Sequence, residues 1–263
     1  MNRHQSLILI SASVLLILLG FVLDTKPREH QLVEKSRVTS FETISINALV
    51  DESRTKLPPA KQTYVQTLEA ELTGNDTSDL STLELLSGTW FDASAYAMAG
   101  YYAEKIAKVR NDAESWSLLG TTCLTGIMKS ISEKEKEYCF QKAVPALEVA
   151  ASLEPENINH RINLALCYAE LPPDDKPMHG IQLLLGLNEK YPENPAVLTQ
   201  LGRLAIKTGQ FERAVERLTA AVRINPEGTA AQCLLAEALT GVGKTMEAAE
   251  AQAKCSELNN KHK

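Results

Sequence analysis

The chain has 263 residues, a formal net charge of −6 and few aromatic side chains, 5% of the total. This mild acidity argues against nucleic acid as a general partner. Alanine and leucine recur at helical spacing and strand-like alternation is rare, so composition and pattern together predict an all-α protein.

The chain begins with a short tail and a long apolar segment. Residues 1–5 form a short tail, and residues 6–23, SLILISASVLLILLGFVL, carry no charge. At about 1.5 Å per residue, a helix of this length just spans a hydrocarbon core of roughly 30 Å. Because no small-x-small cleavage site follows, we predict an uncleaved transmembrane helix that anchors the protein in the membrane. A cleaved signal peptide, which would release a soluble periplasmic accessory or sensor protein, is the alternative.

The orientation of this anchor depends on the basic residues around it. Arg3 and His4 precede the segment, and several basic residues follow it among acidic ones. A short basic tail normally stays in the cytoplasm, which predicts a single-pass inner-membrane protein with its remaining domain in the periplasm. Unpaired cysteines in that domain would favour the opposite orientation, since an oxidising compartment endangers free thiols.

A polar tether and a repeated helical pattern follow the anchor. Residues 24–43 are polar and mixed in charge, and residues 44–76 contain short helical patterns separated by Pro58 and Pro59. Helix-hairpin units then fill residues 77–258, before a polar tail at 259–263. Their predicted bounds are 77–112 (a degenerate unit), 113–157, 158–194, 195–228 and 229–258.

The unit at residues 195–228 is the most regular of these. It has 34 residues, two helical patterns that meet at Gly209, and a stop at Pro226. Gly202 and Ala214 are small where the two helices should cross, so the backbones can approach closely.

The period of 34 residues and the order of small and large apolar residues resemble tetratricopeptide repeats. The resemblance implies a right-handed superhelix of stacked antiparallel helix pairs that binds polypeptides along its concave face. The anchor, the tether and the segments at 165–170 (ALCYAE) and 177–181 (PMHGI) together resemble membrane-anchored tetratricopeptide proteins of Bacteroidetes-type bacteria.

Two units depart from the regular length. The second unit has extra residues between its helices, where Ser132 resembles a helix cap and Pro145 should kink the second helix or restart it. The third unit has an enlarged turn at residues 171–180, LPPDDKPMHG.

No catalytic or cofactor chemistry is expected. Residues 238–245, ALTGVGKT, approach a phosphate-binding loop, but they fall at a helix–helix turn where that loop would need a preceding strand. The five histidines do not pair at metal-ligand spacing, and His160 and His179 are expected to be solvated. The five cysteines, Cys123, Cys139, Cys167, Cys233 and Cys255, are expected to be buried free thiols.

The resemblance also implies which positions line a binding groove, namely fixed positions on the first helix of each unit. These positions place amides and charges over an apolar floor, which suits the backbone and an acidic group of an extended peptide. The candidate groove residues are Asn159, Asn163, Gln200, Arg203, Lys207 and Glu237.

The sequence therefore predicts a non-catalytic, membrane-anchored scaffold that binds a protein or peptide partner. Envelope assembly, secretion or chaperone machinery are the settings that the resemblance suggests. Self-association is a second form of the prediction, because the last helix has small faces at Ala248, Ala249, Ala251 and Ala253.

Overall fold

The computed structural model of the chain describes residues 46–261, and the regular structure in this range is entirely helical. These helices belong to one compact unit, Ser45–Lys263. The predicted anchor and tether lie outside the described residues. Within residues 46–261, none of the helices combines the length and the apolar character needed to cross a bilayer.

Twelve helices follow one another in residues 46–261. They are α1 (Ile46–Thr55), α2 (Pro59–Glu71), α3 (Leu80–Asp92), α4 (Tyr96–Arg110), α5 (Ala113–Lys129), α6 (Glu133–Leu153), α7 (Ile158–Glu170), α8 (His179–Lys190), α9 (Pro195–Lys207), α10 (Phe211–Ile224), α11 (Thr229–Gly241) and α12 (Thr245–Lys261). From α3 onward each helix packs against the next, which gives five successive helix pairs.

Glycine allows the two helices of a pair to pack closely. A Cβ atom added at Gly202 of α9 would lie 2.5 Å from Cγ of Leu218 on α10. In α5, a Cβ atom at Gly120 would lie 2.5 Å from Cγ of Leu147 on α6. Two pairs of different length therefore use the same contact, in which a buried leucine occupies the space above a glycine.

A buried carboxylate joins the first helices to the second pair. Glu135 on α6 is 2% exposed and accepts hydrogen bonds from the backbone N–H of Ala97 at 3.1 Å and from Ser130 Oγ at 2.6 Å. Lys56, in the turn between α1 and α2, places its Nζ 3.1 Å from the same carboxylate. A buried charge needs such partners because its desolvation is otherwise uncompensated.

The longer second unit is accommodated without a break. Ser132 caps α6 by accepting a hydrogen bond from the backbone N–H of Glu135, which agrees with the predicted cap. Helix α6 then runs for 21 residues through Pro145, so the helix does not restart there. Pro145 is solvent-exposed, so the helical hydrogen bond that proline cannot donate is missing on the outer face of the helix.

The expectation of five free thiols is wrong for two of them. Cys233 on α11 and Cys255 on α12 form a disulfide, with Cα atoms 4.9 Å apart. Packing of α11 against α12 brings these positions together across a separation of 22 residues. The spacing in the sequence does not reveal this pair, because the contact depends on how the two helices align.

The other three cysteines, Cys123, Cys139 and Cys167, are free and buried. A hydrogen bond with Cys123, together with burial, raises the pKa of the Cys139 thiol well above its usual range. Burial raises the pKa of the Cys167 thiol as well. Because these two thiols are protonated and buried, they are poor nucleophiles. Their role is to pack the core.

Two smaller expectations also change. His160 is buried rather than solvated, with its Nε2 atom 3.2 Å from a carboxylate oxygen of Glu154. Ala248 and Ala251 belong to the core between α11 and α12, so only Ala249 and Ala253 remain on the surface of the last helix. The predicted self-association face is therefore smaller than the sequence pattern indicates.

The segment that approaches a phosphate-binding loop forms the end of α11, a turn and the start of α12. Gly243 has a φ of +77° in this turn, a backbone conformation that favours glycine. No strand precedes the segment within residues 46–261.

We expect opposite effects from two glycine-to-alanine changes in α8. In Gly180→Ala the new Cβ atom would lie 2.3 Å from the backbone nitrogen of Ala169, which should cost about 1–3 kcal/mol of stability. Gly186→Ala meets no atom within 4 Å and should gain about 0.5–1 kcal/mol from helix propensity. Urea unfolding followed by circular dichroism measures both. Equal midpoints for the two variants would contradict the close contact of α7 and α8.

Candidate partner-binding grooves

An apolar groove lies between the first helices of the first two units. It has a volume of about 500 Å³ and is lined by α3, α4 and α5. Ile106 contributes from α4, and two large apolar side chains at its walls remain exposed: Phe91 is 40% exposed and Leu118 is 48% exposed. Exposed apolar side chains that share one groove are typical of surfaces that bind other molecules.

Three of the four hydroxyl groups that line this groove donate hydrogen bonds within the protein. Thr121 donates to the carbonyl of Ser117 at 2.9 Å, and Thr125 donates to the carbonyl of Thr121 at 2.9 Å. Ser87 donates to the carbonyl of Ala99 at 3.0 Å. Because these donors are satisfied, the groove offers apolar contact more than hydrogen bonds.

The charges that line the apolar groove are both acidic and both lie on α3. Glu84 is paired with Arg110 of α4. Asp92 has no ion pair with any residue between 46 and 261 and is exposed at the end of the helix. The α3 edge of the groove can therefore attract a cation on a ligand.

A second, polar cluster joins α7 and α9. Glu170 on α7 accepts from Arg203 Nη1 at 2.7 Å and from Lys207 Nζ at 2.7 Å, both on α9. Arg203 also donates through Nε to the side-chain oxygen of Gln200 at 3.0 Å. The two cations proposed to meet an acidic group on a peptide thus already share an acidic group within the chain.

The environment of Glu170 favours its charged form. Its side chain is only 10% exposed, and this burial raises its pKa. Hydrogen bonds from Lys207 and Arg203 outweigh burial and hold the pKa below its ordinary value. The carboxylate therefore stays ionised at neutral pH and holds α7 against α9.

The remaining candidate residues are distributed over two helices. Asn159 is exposed and Asn163 is half-buried; both lie on the α7 face that carries Glu170, at intervals of four and seven residues. Glu237 lies in a different cleft, between α11 and α12, beside Thr240 and Gln252. The six candidates therefore do not converge on one pocket. In residues 46–261 no group of three or more metal-ligating side chains is arranged to hold a metal ion.

Sequence reasoning missed the apolar groove although its signal was present. The groove positions used for the third and fourth units select Leu118, Thr121 and Thr125 when counted from the start of the second unit at residue 113. These residues line the groove in the structure. Phe91 was harder to find, since the first unit is degenerate and its register is uncertain from sequence.

The fold and its grooves define an α-helical repeat protein built from packed helix pairs. The match to a known family is more particular: residues 181–238, from α8 to α11, match the family model described as tetratricopeptide repeat. Residues 181–238 therefore carry the sequence pattern of tetratricopeptide repeats.

Solved structures of MamA are among those to which this chain is similar. MamA MSR-1 is 20% identical, with a TM-score of 0.39, over 69% of this chain and 97% of that one. A second MamA structure is 18% identical, with a TM-score of 0.40, over 72% and 94%. MamA from Desulfovibrio magneticus RS-1 is 18% identical, with a TM-score of 0.42, over 69% and 95%.

No curated protein matched the sequence. The narrower resemblance to membrane-anchored proteins of Bacteroidetes-type bacteria is not tested by these comparisons and stays a prediction.

Glu170→Gln should lower stability in a pH-dependent way. A carboxylate with a lowered folded-state pKa contributes stability above its unfolded pKa of about 4.3 and loses it as the pH falls through the folded value. We expect the variant to be about 1–2 kcal/mol less stable at pH 7, with the difference shrinking in acid. Urea unfolding at several pH values measures this difference.

Glu189→Gln is the matched control. Glu189 is an exposed carboxylate on α8 that has no ion pair with another described residue. Its substitution should change little at any pH. A constant difference between the wild type and Glu170→Gln from neutral to acidic pH would contradict the assignment.

Proposed function

We propose that this protein is a non-catalytic adaptor that binds a partner protein through the apolar groove between α3 and α5. The observation that carries the proposal is the exposure of Phe91 on α3 and Leu118 on α5, which both line one groove. Burying two such side chains against a ligand would remove apolar surface from water, which is the main source of binding energy in protein interfaces.

The groove also indicates the chemistry of the partner. Its satisfied hydroxyls and apolar walls suit a segment that presents apolar side chains. Asp92, which has no ion pair within the described helices, lies at the α3 edge and suits a basic residue beside that segment. The polar cluster at Glu170 supports the array from within, because both of its cations are already paired.

The proposed location is the outer face of the inner membrane, with residues 6–23 as the anchor. Support comes from the apolar length of that segment and from the Cys233–Cys255 disulfide, since stable disulfides are typical of oxidising compartments. An anchored adaptor would raise the effective concentration of its partner near the bilayer. Envelope assembly, secretion and membrane-associated chaperone machinery remain the proposed settings.

Leu118→Glu should abolish partner capture in a cross-linking pulldown from native membranes. The substitution places a charge in the apolar groove, and we expect recovery of the cross-linked partner to fall about tenfold or more. Met246→Glu is the matched control, because Met246 is an exposed apolar residue on α12.

An unchanged yield for Leu118→Glu would remove this groove from consideration. Loss of the partner only in Arg203→Glu combined with Lys207→Glu would move the site to the α7–α9 cluster. Circular dichroism of each variant shows whether the fold is kept.

The proposed location has a separate test. We expect the protein in the membrane fraction, with residues 6–23 intact by mass spectrometry. Alkylation of denatured, unreduced protein should label three of the five cysteines, and reduction should expose all five. A mature chain that begins after residue 20 would favour the cleaved, soluble alternative. Five reactive thiols without reduction would contradict the oxidising compartment.

A further inference from the structure

A second apolar groove lies on a different set of helices from the proposed partner site. It has a volume of about 540 Å³ and is lined by α6, α7 and α8. Leu164 of α7 and Leu183 and Leu187 of α8 contribute its apolar surface. None of its lining residues belongs to the groove between α3 and α5.

Two unpaired charges of opposite sign line this groove. Glu148 projects from α6, where it is exposed, and Arg161 lies on α7, where it is half-buried. Neither forms an ion pair or a side-chain hydrogen bond with another residue in the part of the chain that the structure describes. The other polar lining residues, Ser152 and Gln182, are neutral.

An unpaired anion and an unpaired cation on one surface make that surface complementary to itself. In a two-fold dimer, the same patch of each copy lies at the interface. If residue i of the first copy contacts residue j of the second, then residue j of the first also contacts residue i of the second. Glu148 of each copy would then pair with Arg161 of the other. Both charges would gain a partner that they lack among residues 46–261 of one copy.

Apolar side chains beside the groove can fill it in such an arrangement. Leu153 follows the α6 lining residues in sequence and is 47% exposed, and Leu185 lies between lining residues of α8 and is 38% exposed. Neither belongs to the groove wall itself. In a face-to-face contact, these exposed leucines of one copy can pack into the apolar groove of the other.

We propose that the groove formed by α6, α7 and α8 is the interface of a homodimer, held by reciprocal Glu148–Arg161 ion pairs over buried leucines. This goes beyond the proposed adaptor function and does not depend on it. The dimer uses neither the α3–α5 groove nor the alanine face of α12, so each copy keeps its partner site open.

Charge reversal and charge exchange test the proposal on the full chain. Sedimentation velocity and light scattering should show a concentration-dependent dimer for the wild type. Glu148→Arg and Arg161→Glu each place like charges opposite one another and should weaken the dimer about tenfold or more. The double variant restores opposite charges in the exchanged order and should recover the dimer.

Arg213→Glu is the matched control, because Arg213 is an exposed arginine on α10 outside the groove. It should leave the dimer unchanged, and thermal unfolding should be similar for all variants. A monomeric wild type, or a dimer that persists in both single reversals, would overturn the proposal. So would a double variant that stays monomeric. A monomeric wild type whose Arg161→Glu variant loses a cross-linked heterologous protein would instead assign the groove to that protein.

Discussion

Close approach of paired helices is the constraint on which this structure depends. A helix pair buries only a narrow apolar stripe, so the stripe must be packed without gaps. Glycine at the crossing in α5 and in α9 gives the facing leucine of the partner helix its space. Where the crossing places backbone against backbone, as at Gly180 between α8 and α7, even a methyl group does not fit. Three of the five pairs, of different lengths, therefore use a glycine to bring their two helices into close contact.

The grooves follow from how these units stack. Each helix packs mainly against its neighbours in sequence, so consecutive first helices and consecutive second helices can leave space between them. The space between α3 and α5 is apolar in part because the hydroxyls of Thr121 and Thr125 bond to carbonyls of their own helix. The junction of α7 and α9 is closed by Glu170 and its two cations. One array thus presents surfaces of different chemistry at successive junctions.

Periodicity in the sequence was sufficient to predict an all-helical repeat. It also placed Gly202 at a helix crossing, because both predictions depend on local pattern. The contacts between residues on different helices were not predictable to the same degree. The Cys233–Cys255 bond and the burial of Ala248 depend on the alignment of α11 with α12. Similarly, Arg203 and Lys207 were recognised as cations on the correct helix, but their shared contact with Glu170 depends on how successive units stack.

The buried carboxylate of Glu135 has a mechanical consequence. A force applied to the chain ahead of Ile46 enters the domain through α1, and Lys56, in the turn directly after that helix, is bonded to Glu135 on α6. Part of the load therefore bypasses α3 and reaches the second helix pair directly, over 79 residues of sequence. Helix α1 also packs against α4, and Glu135 accepts a hydrogen bond from Ala97 of α4, so tension on α1 is shared between the first and the second helix pair.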